Sequence, residues 1–214
     1  MMEPYKLGTE LVLKGTTTVG VICKDGVILA TDTRVTMGTF VAHRRGKKVY
    51  PIDNHIAITI AGTVADAQNV VDILKANAAL FRVSNRRPIS VRATTQLAAN
   101  ILFANRWLPL SLQAILAGID VEGAHIFTLD PFGSITEEKK FFATGSGSPV
   151  AFGILEDGYR ENMSLNEAIQ LVVRAVTAAM KRDAASGDSF DVAVVTTEGY
   201  RELSEGEKLQ LLVI

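Results

Sequence analysis

From Thr18 to Cys23 the chain is apolar or β-branched; the turn signal Lys24-Asp25-Gly26 follows, and Val27 to Thr31 is apolar again. β-Branched side chains suit a pleated surface and Asp-Gly reverses the chain tightly, so this pattern predicts a hairpin. A further apolar run, Ile56 to Ala61, predicts a strand that ends at Gly62. From Val64 to Val83 apolar residues then recur at helical spacing. Ser90 to Trp107 predicts a second helix, with Ser90 as its N-cap, Pro88 just ahead and Pro109 beyond its far end.

Strand patterns return at Gln113 to Ile119 and Ala124 to Leu129, joined by Asp120-Val121-Glu122-Gly123, and again near Ser134 to Ile135 and Phe141 to Ala143. The Gly-Ser segment Gly145 to Ser148 leads into a short helix, Pro149 to about Leu155. A longer helix is predicted from Ser164, whose spacing to Glu167 makes a capping box, through Ala168, Ile169, Val172, Val173, Val176 and Ala179 to about Arg182. Phe190 to Thr197 predicts a closing strand. Strands and helices that cluster rather than alternate imply an α+β domain, and two antiparallel sheets flanked by helix pairs, a four-layer αββα sandwich, would satisfy the order. No Pro-, Gly- or Ser-rich linker and no fixed-period repeat divides the chain, so one domain is expected.

Composition narrows the function. Hydrophobic residues make up 48% of the 214, yet no run approaches the ~20 apolar residues a bilayer crossing needs. A soluble protein is expected, with enough apolar surface for either a generous core or subunit faces. The formal charge of −1 gives no electrostatic reason to expect nucleic acid. One basic cluster stands out, His43, Arg44, Arg45, Lys47 and Lys48, which reads first as a solvated loop and second as an anion site. Cys23 is the only cysteine, which excludes a disulfide framework and fits a reducing compartment, with the cytoplasm as the simplest placement. Residues 1 to 15 carry Glu3, Lys6, Glu10 and Lys14 and no continuous apolar block, unlike a secretory signal.

Several chemistries are poorly supported. The histidines His43, His55 and His125 are scattered and no His-Glu-x-x-His helix exists, so no metal is expected. Gly145-Ser146-Gly147-Ser148 lacks the Lys-Ser/Thr ending of a phosphate-binding loop, and no Gly-x-Ser-x-Gly elbow is present. Cys23 lies in an apolar strand and reads as a buried core residue. What remains is Leu13-Lys14-Gly15-Thr16-Thr17-Thr18-Val19-Gly20, which on its own is simply the start of a strand.

Gly15-Thr16-Thr17-Thr18-Val19-Gly20 resembles the processing site of proteasome β-subunits, and Ala30-Thr31-Asp32-Thr33-Arg34-Val35-Thr36 resembles the acidic motif that follows it. Agreement continues through Gly46 to Val49, Ile60 to Gln68, Ala143 to Ser148 and Lys181 to Gly187, in family order to the C-terminus. The resemblance to the archaeal type implies an N-terminal nucleophile hydrolase. Its residues 1 to 15 would be a propeptide removed on maturation, and residues 16 to 214 the hydrolase domain. Thr16 would be the nucleophile, cleaving its own Gly15-Thr16 bond and then substrates. Lys48 paired with Asp32 would lower the hydroxyl's pKa, Gly62 would offer its N–H to the oxyanion, and Ser146, Asp183 and Ser186 would orient the terminal amine. Val35, Gly46, Ile60 and Val64 would line an apolar substrate pocket and favour cleavage after apolar residues. The expected partners are other β-subunits in a seven-membered ring, α-subunit rings, a regulatory ATPase and unfolded polypeptide substrates, with no nucleic acid, membrane, cofactor or metal. The alternatives are a subunit of a bacterial two-ring threonine protease, or a non-catalytic structural β- or α-like ring subunit, a reading that predicts loss of the threonine, lysine or aspartate, all three of which are present here.

Overall fold

The computed structural model describes residues 15–212, so the propeptide expected at residues 1 to 15 lies, apart from Gly15, outside the described residues. The predicted hairpin is present as β1 (Thr18–Cys23) and β2 (Gly26–Asp32), paired antiparallel from Thr18 opposite Thr31 to Cys23 opposite Gly26. Next come β3 (Val35–Met37) and β4 (Phe40–His43), a small hairpin of their own, then β5 (Val49–Asp53) and β6 (Ile56–Gly62). Helices α1 (Val64–Asn85) and α2 (Val91–Ala104) follow, then β7 (Leu112–Asp120), β8 (Gly123–Leu129), β9 (Ile135–Glu138) and β10 (Phe141–Thr144). The chain continues through α3 (Ser148–Gly158), α4 (Leu165–Met180), β11 (Phe190–Thr196), β12 (Gly199–Glu202) and α5 (Glu205–Leu212).

Two five-stranded antiparallel sheets result, in the orders β10-β1-β2-β11-β12 and β5-β6-β7-β8-β9. Side chains alternate across a strand, and β2 is buried at every position because both of its faces are covered. Ile28 and Ala30 join Val19, Val21, Leu155, Val172 and Val176 in the core beneath α3 and α4. Val27 and Leu29 point the other way and meet Ile115, Ala117 and Ile126 of the second sheet. On the outer face of that sheet Ile58, Leu116 and Phe127 pack under Leu74 of α1 and Leu102 of α2. These three cores define the αββα layering expected of the α+β chain. Gly20 lets the sheets approach: a methyl there would stand only 3.1 Å from Ile115 and 3.2 Å from Leu29.

The local signals also hold. Ser164 and Glu167 form the full capping box at the head of α4, and the Ser90 hydroxyl accepts from Ala93 N–H at the head of α2. Helix α2 stops at Ala104 rather than Trp107, where the Asn105 N–H turns back to the Leu102 and Phe103 carbonyls. Trp107 and Leu108 lie beyond it and are exposed, as are Phe103 and Phe132. Cys23 is buried as expected; its thiol donates to the Gly26 carbonyl, and burial pushes its pKa up. No helix among the described residues is long and apolar enough to cross a membrane.

Candidate active site

Strand β1 begins at Thr18, so Thr16 and Thr17 lead into its N-terminal end and are themselves buried. Strand β2 delivers Asp32 at its C-terminal end, where the Asp32 N–H donates to the Thr17 carbonyl. Lys48 comes from the residue before β5 and is only 5% exposed, although its sequence neighbours Lys47 and Arg45 are exposed. Its Nζ donates to Asp32 Oδ1 at 2.7 Å.

Asp32 is fully buried, and both of its oxygens are satisfied. Oδ1 accepts from Lys48 and from the Thr17 N–H at 2.9 Å; Oδ2 accepts from the Arg34 N–H at 3.1 Å and the Gly187 N–H at 3.0 Å. Four donors thus surround this carboxylate in an interior where an unpartnered polar group would be costly. Burial, the larger influence, pulls the Lys48 pKa below that of an ordinary lysine, and the Asp32 carboxylate opposes it.

The second half of the site comes from loops far away in sequence. The Thr16 N–H donates to Ser146 Oγ at 3.3 Å, and Ser146 Oγ–H donates to Asp183 Oδ2 at 2.6 Å. Ser186 Oγ also reaches Asp183 Oδ2, at 2.6 Å, and shares a hydrogen bond with Thr17 Oγ1 at 2.8 Å. Gly145, with φ of +87°, brings its backbone against the Thr16 carbonyl so closely that a Cβ would lie 2.0 Å from the oxygen. That approach and that dihedral both require glycine.

Thr16 opens onto a cleft of about 490 Å³, and Gly15, Lys48, Gly62 and the four pocket candidates Val35, Gly46, Ile60 and Val64 line it too. Gly62 has φ of +138°, and a side chain there would strike the Ser111 carbonyl at 2.0 Å. All the residues singled out from the sequence thus fall in one constellation. Val35, Gly46, Ile60 and Val64 give the cleft an uncharged stretch, and Arg34, Arg45 and Lys47 line it as well.

Arg34 was not among the sequence candidates, although it stands two residues after Asp32. Its Nε donates to Asp188 at 2.8 Å and one NH group donates to the Ala184 carbonyl at 2.9 Å, strapping the 184–188 loop to the end of β2. The guanidinium holds the Asp188 carboxyl below the usual carboxylate range. Gly187 is pressed under it, with only 2.4 Å from a would-be Cβ to the guanidinium carbon.

Gly15 and Thr16 meet in a geometry of their own. The Thr16 hydroxyl donates to the Gly15 carbonyl at 2.6 Å, and a methyl at residue 15 would sit 1.6 Å from Ala185 Cβ. Gly15→Val therefore has to displace either the 183–188 loop or the carbonyl. If the Thr16 hydroxyl attacks that carbonyl, cleavage of the 15–16 bond should slow by roughly tenfold or more, as read by the intact mass of the chain over time. A cleavage rate equal to that of the wild type would show that this packing does not matter.

Away from the cleft, one donor set escapes the sequence reading. His125, Asp120 and Glu122 bring three potential ligand atoms within 4.8 Å on the β7–β8 hairpin. His125 Nδ1 already shares a hydrogen bond with Glu137 at 3.2 Å and its Nε2 lies 3.5 Å from Asp120, so polar contacts within the sheet account for the arrangement.

Comparison with known proteins adds an independent line. The family model described as "Proteasome subunit" matches residues 12–195. "Proteasome subunit beta" of Methanothermobacter thermautotrophicus is 52% identical over 91% of this chain and 93% of its own length. Proteins of the same name from Methanocaldococcus fervens and Ferroglobus placidus are 49% and 47% identical, over 94% and 92% of this chain and 90% and 94% of their own lengths.

Proposed function

The chain belongs to the proteasome subunit family, and from that premise we propose that it is a catalytic β-subunit, a threonine endopeptidase with Thr16 as nucleophile. One observation carries the reading. The Thr16 hydroxyl rests on the carbonyl of Gly15, in the cleft that also holds the buried Lys48 of the Lys48–Asp32 pair.

Self-processing follows from that contact. The hydroxyl oxygen bonds to the Gly15 carbonyl carbon, the Gly15–Thr16 C–N bond breaks, and the hydroxyl proton ends on the freed nitrogen. Water then hydrolyses the ester and releases residues 1 to 15. Before cleavage the Thr16 nitrogen is an amide and cannot accept a proton. Afterwards it is an α-amine, with a reference pKa of about 7.7 to 8.0, and near neutrality a useful fraction is free to act as base. Ser146 is already hydrogen-bonded to this nitrogen and Asp183 holds Ser146, so the amine emerges with its partners in place.

In the mature site Thr16 attacks a substrate carbonyl with its own amine taking the proton. Lys48 lowers the hydroxyl pKa and the Gly62 N–H receives the oxyanion. The amine returns the proton to the departing peptide, and water resolves the acyl ester. Val35, Ile60 and Val64 offer no partner to a buried charge, so the residue before the cut bond is apolar. Working in the cytoplasm, the subunit takes its place in a seven-membered β-ring enclosed by α-subunit rings, where a regulatory ATPase delivers unfolded chains.

The test is the N-terminus and intact mass of the chain after assembly with an α-subunit, followed in parallel with peptide hydrolysis. Loss of residues 1 to 15 and appearance of activity are expected to rise together. Full activity from chains that retain residues 1 to 15 would remove the terminal amine from the mechanism. Assembled particles that never process or hydrolyse would favour a non-catalytic subunit.

A further inference from the structure

Among the described residues, every charged side chain lining the cleft is cationic: Arg34, Arg45, Lys47 and Lys48. His43 lines it as well. No aspartate or glutamate faces the cavity among the described residues. Three of these cations have carboxylate partners behind the cleft wall: Arg34 with Asp188 at 2.8 Å, Lys47 with Glu202 at 2.6 Å and Lys48 with Asp32 at 2.7 Å.

Arg45 differs. It is exposed at the cleft, and no carboxylate among the described residues comes within ion-pair distance of it. Its electrostatic neighbour Glu205 is already held by Lys208 at 2.9 Å. The basic cluster that reads from sequence as a solvated loop thus places at Arg45, on the edge of the chamber in which Thr16 stands, an exposed cation whose acidic neighbour Glu205 is not in direct contact with it. A concave wall of one sign focuses its field into the cavity and raises the local concentration of groups of opposite charge.

We propose that Arg45 is a specificity-determining residue, selecting polypeptide segments that carry an acidic side chain close to the bond being cut. The inference rests on the peptidase reading above and refines its substrate class. The apolar residue preceding the cut bond enters the pocket of Val35, Ile60 and Val64, while an aspartate or glutamate nearby meets the guanidinium at the mouth. Because Arg45 is solvated, its contribution is that of an exposed ion pair: modest and sensitive to salt.

The experiment uses the processed chain assembled with an α-subunit, and peptides identical except for Glu, Gln or Lys at one position, scanned across three residues on each side of the cut. At low salt kcat/KM for the Glu peptide is expected to exceed that for the Lys peptide by about two- to fivefold at one or more positions. The ratio should shrink toward one at ~0.5 M salt. Arg45→Gln should abolish it and Arg45→Glu invert it. Equal cleavage of all three peptides at every position, or an unchanged ratio in Arg45→Glu, would overturn the proposal. The Gln peptide separates the two layers: no hydrolysis of it by wild type sinks the peptidase reading, whereas hydrolysis without charge preference sinks only the role of Arg45.

Discussion

Thr16→Ala is expected to leave every assembled chain at full length and to lower peptide hydrolysis by on the order of 10⁶-fold, the scale seen when a hydrolase loses its nucleophile. The substitution removes the hydroxyl that rests on the Gly15 carbonyl and disturbs little else, because the backbone N–H to Ser146 remains. Two losses would be mixed in that result, since under the proposed mechanism an unprocessed chain also lacks the amine. A chain produced to begin at residue 16 resolves them. With alanine there it exposes an α-amine and should still be inactive; with threonine it should be active without any processing step. Hydrolysis by the alanine chain would assign the nucleophile elsewhere.

The second large effect concerns Lys48. Lys48→Met is expected to cut hydrolysis by roughly 10²- to 10³-fold, the usual consequence of losing a preorganised electrostatic contact. It should also destabilise the fold by about 3 to 5 kcal/mol, because Asp32 is left buried without its ion partner. A denaturation midpoint and a rate alone would not tell chemistry from unfolding. The double variant Lys48→Met, Asp32→Asn removes both charges, and stability should largely return while activity does not. Recovery of both would make the pair purely architectural. The pH profile gives a further check. Burial lowers the Lys48 pKa, so its charge, and activity with it, should be lost as pH rises through a value below the ordinary lysine range.

Much of this molecule is legible where local and global signals agree. The β1–β2 hairpin and α4 each combine a periodic apolar pattern with a turn or a cap. Strand β5 was missed because it contains Pro51, which a ladder tolerates only where its missing N–H is not needed; β5 lies at the edge of its sheet. Helix α5 was missed because its sequence is largely polar; a Ser204–Glu207 cap and the Lys208 link to Asp191 at 2.6 Å hold it instead. Strands β3, β4 and β12 are only three or four residues long, too short to show a period.

In the site, sequence order cannot show that Lys48 is buried while its neighbours Arg45 and Lys47 are exposed. That difference arises from the carboxylate at the end of β2, a contact sixteen residues back in the chain. The resemblance named the residues; the packing shows what each one touches. Arg34 illustrates the remainder, because its strap to Asp188 and Ala184 joins positions about 150 residues apart that no local pattern connects.

Those long sequence separations have a temporal consequence. Ser146 stands 130 positions from Thr16, and Gly187 stands 155 from Asp32, so the constellation cannot close until the last third of the chain has docked on the first strands. Contacts of such span are late to form, since they carry the largest loop-closure cost. On the proposed self-processing, the Gly15–Thr16 bond would therefore work as a molecular timestamp. A subunit cut there would have been, at least once, fully folded, and the pool of uncut chains would record how many have yet to finish.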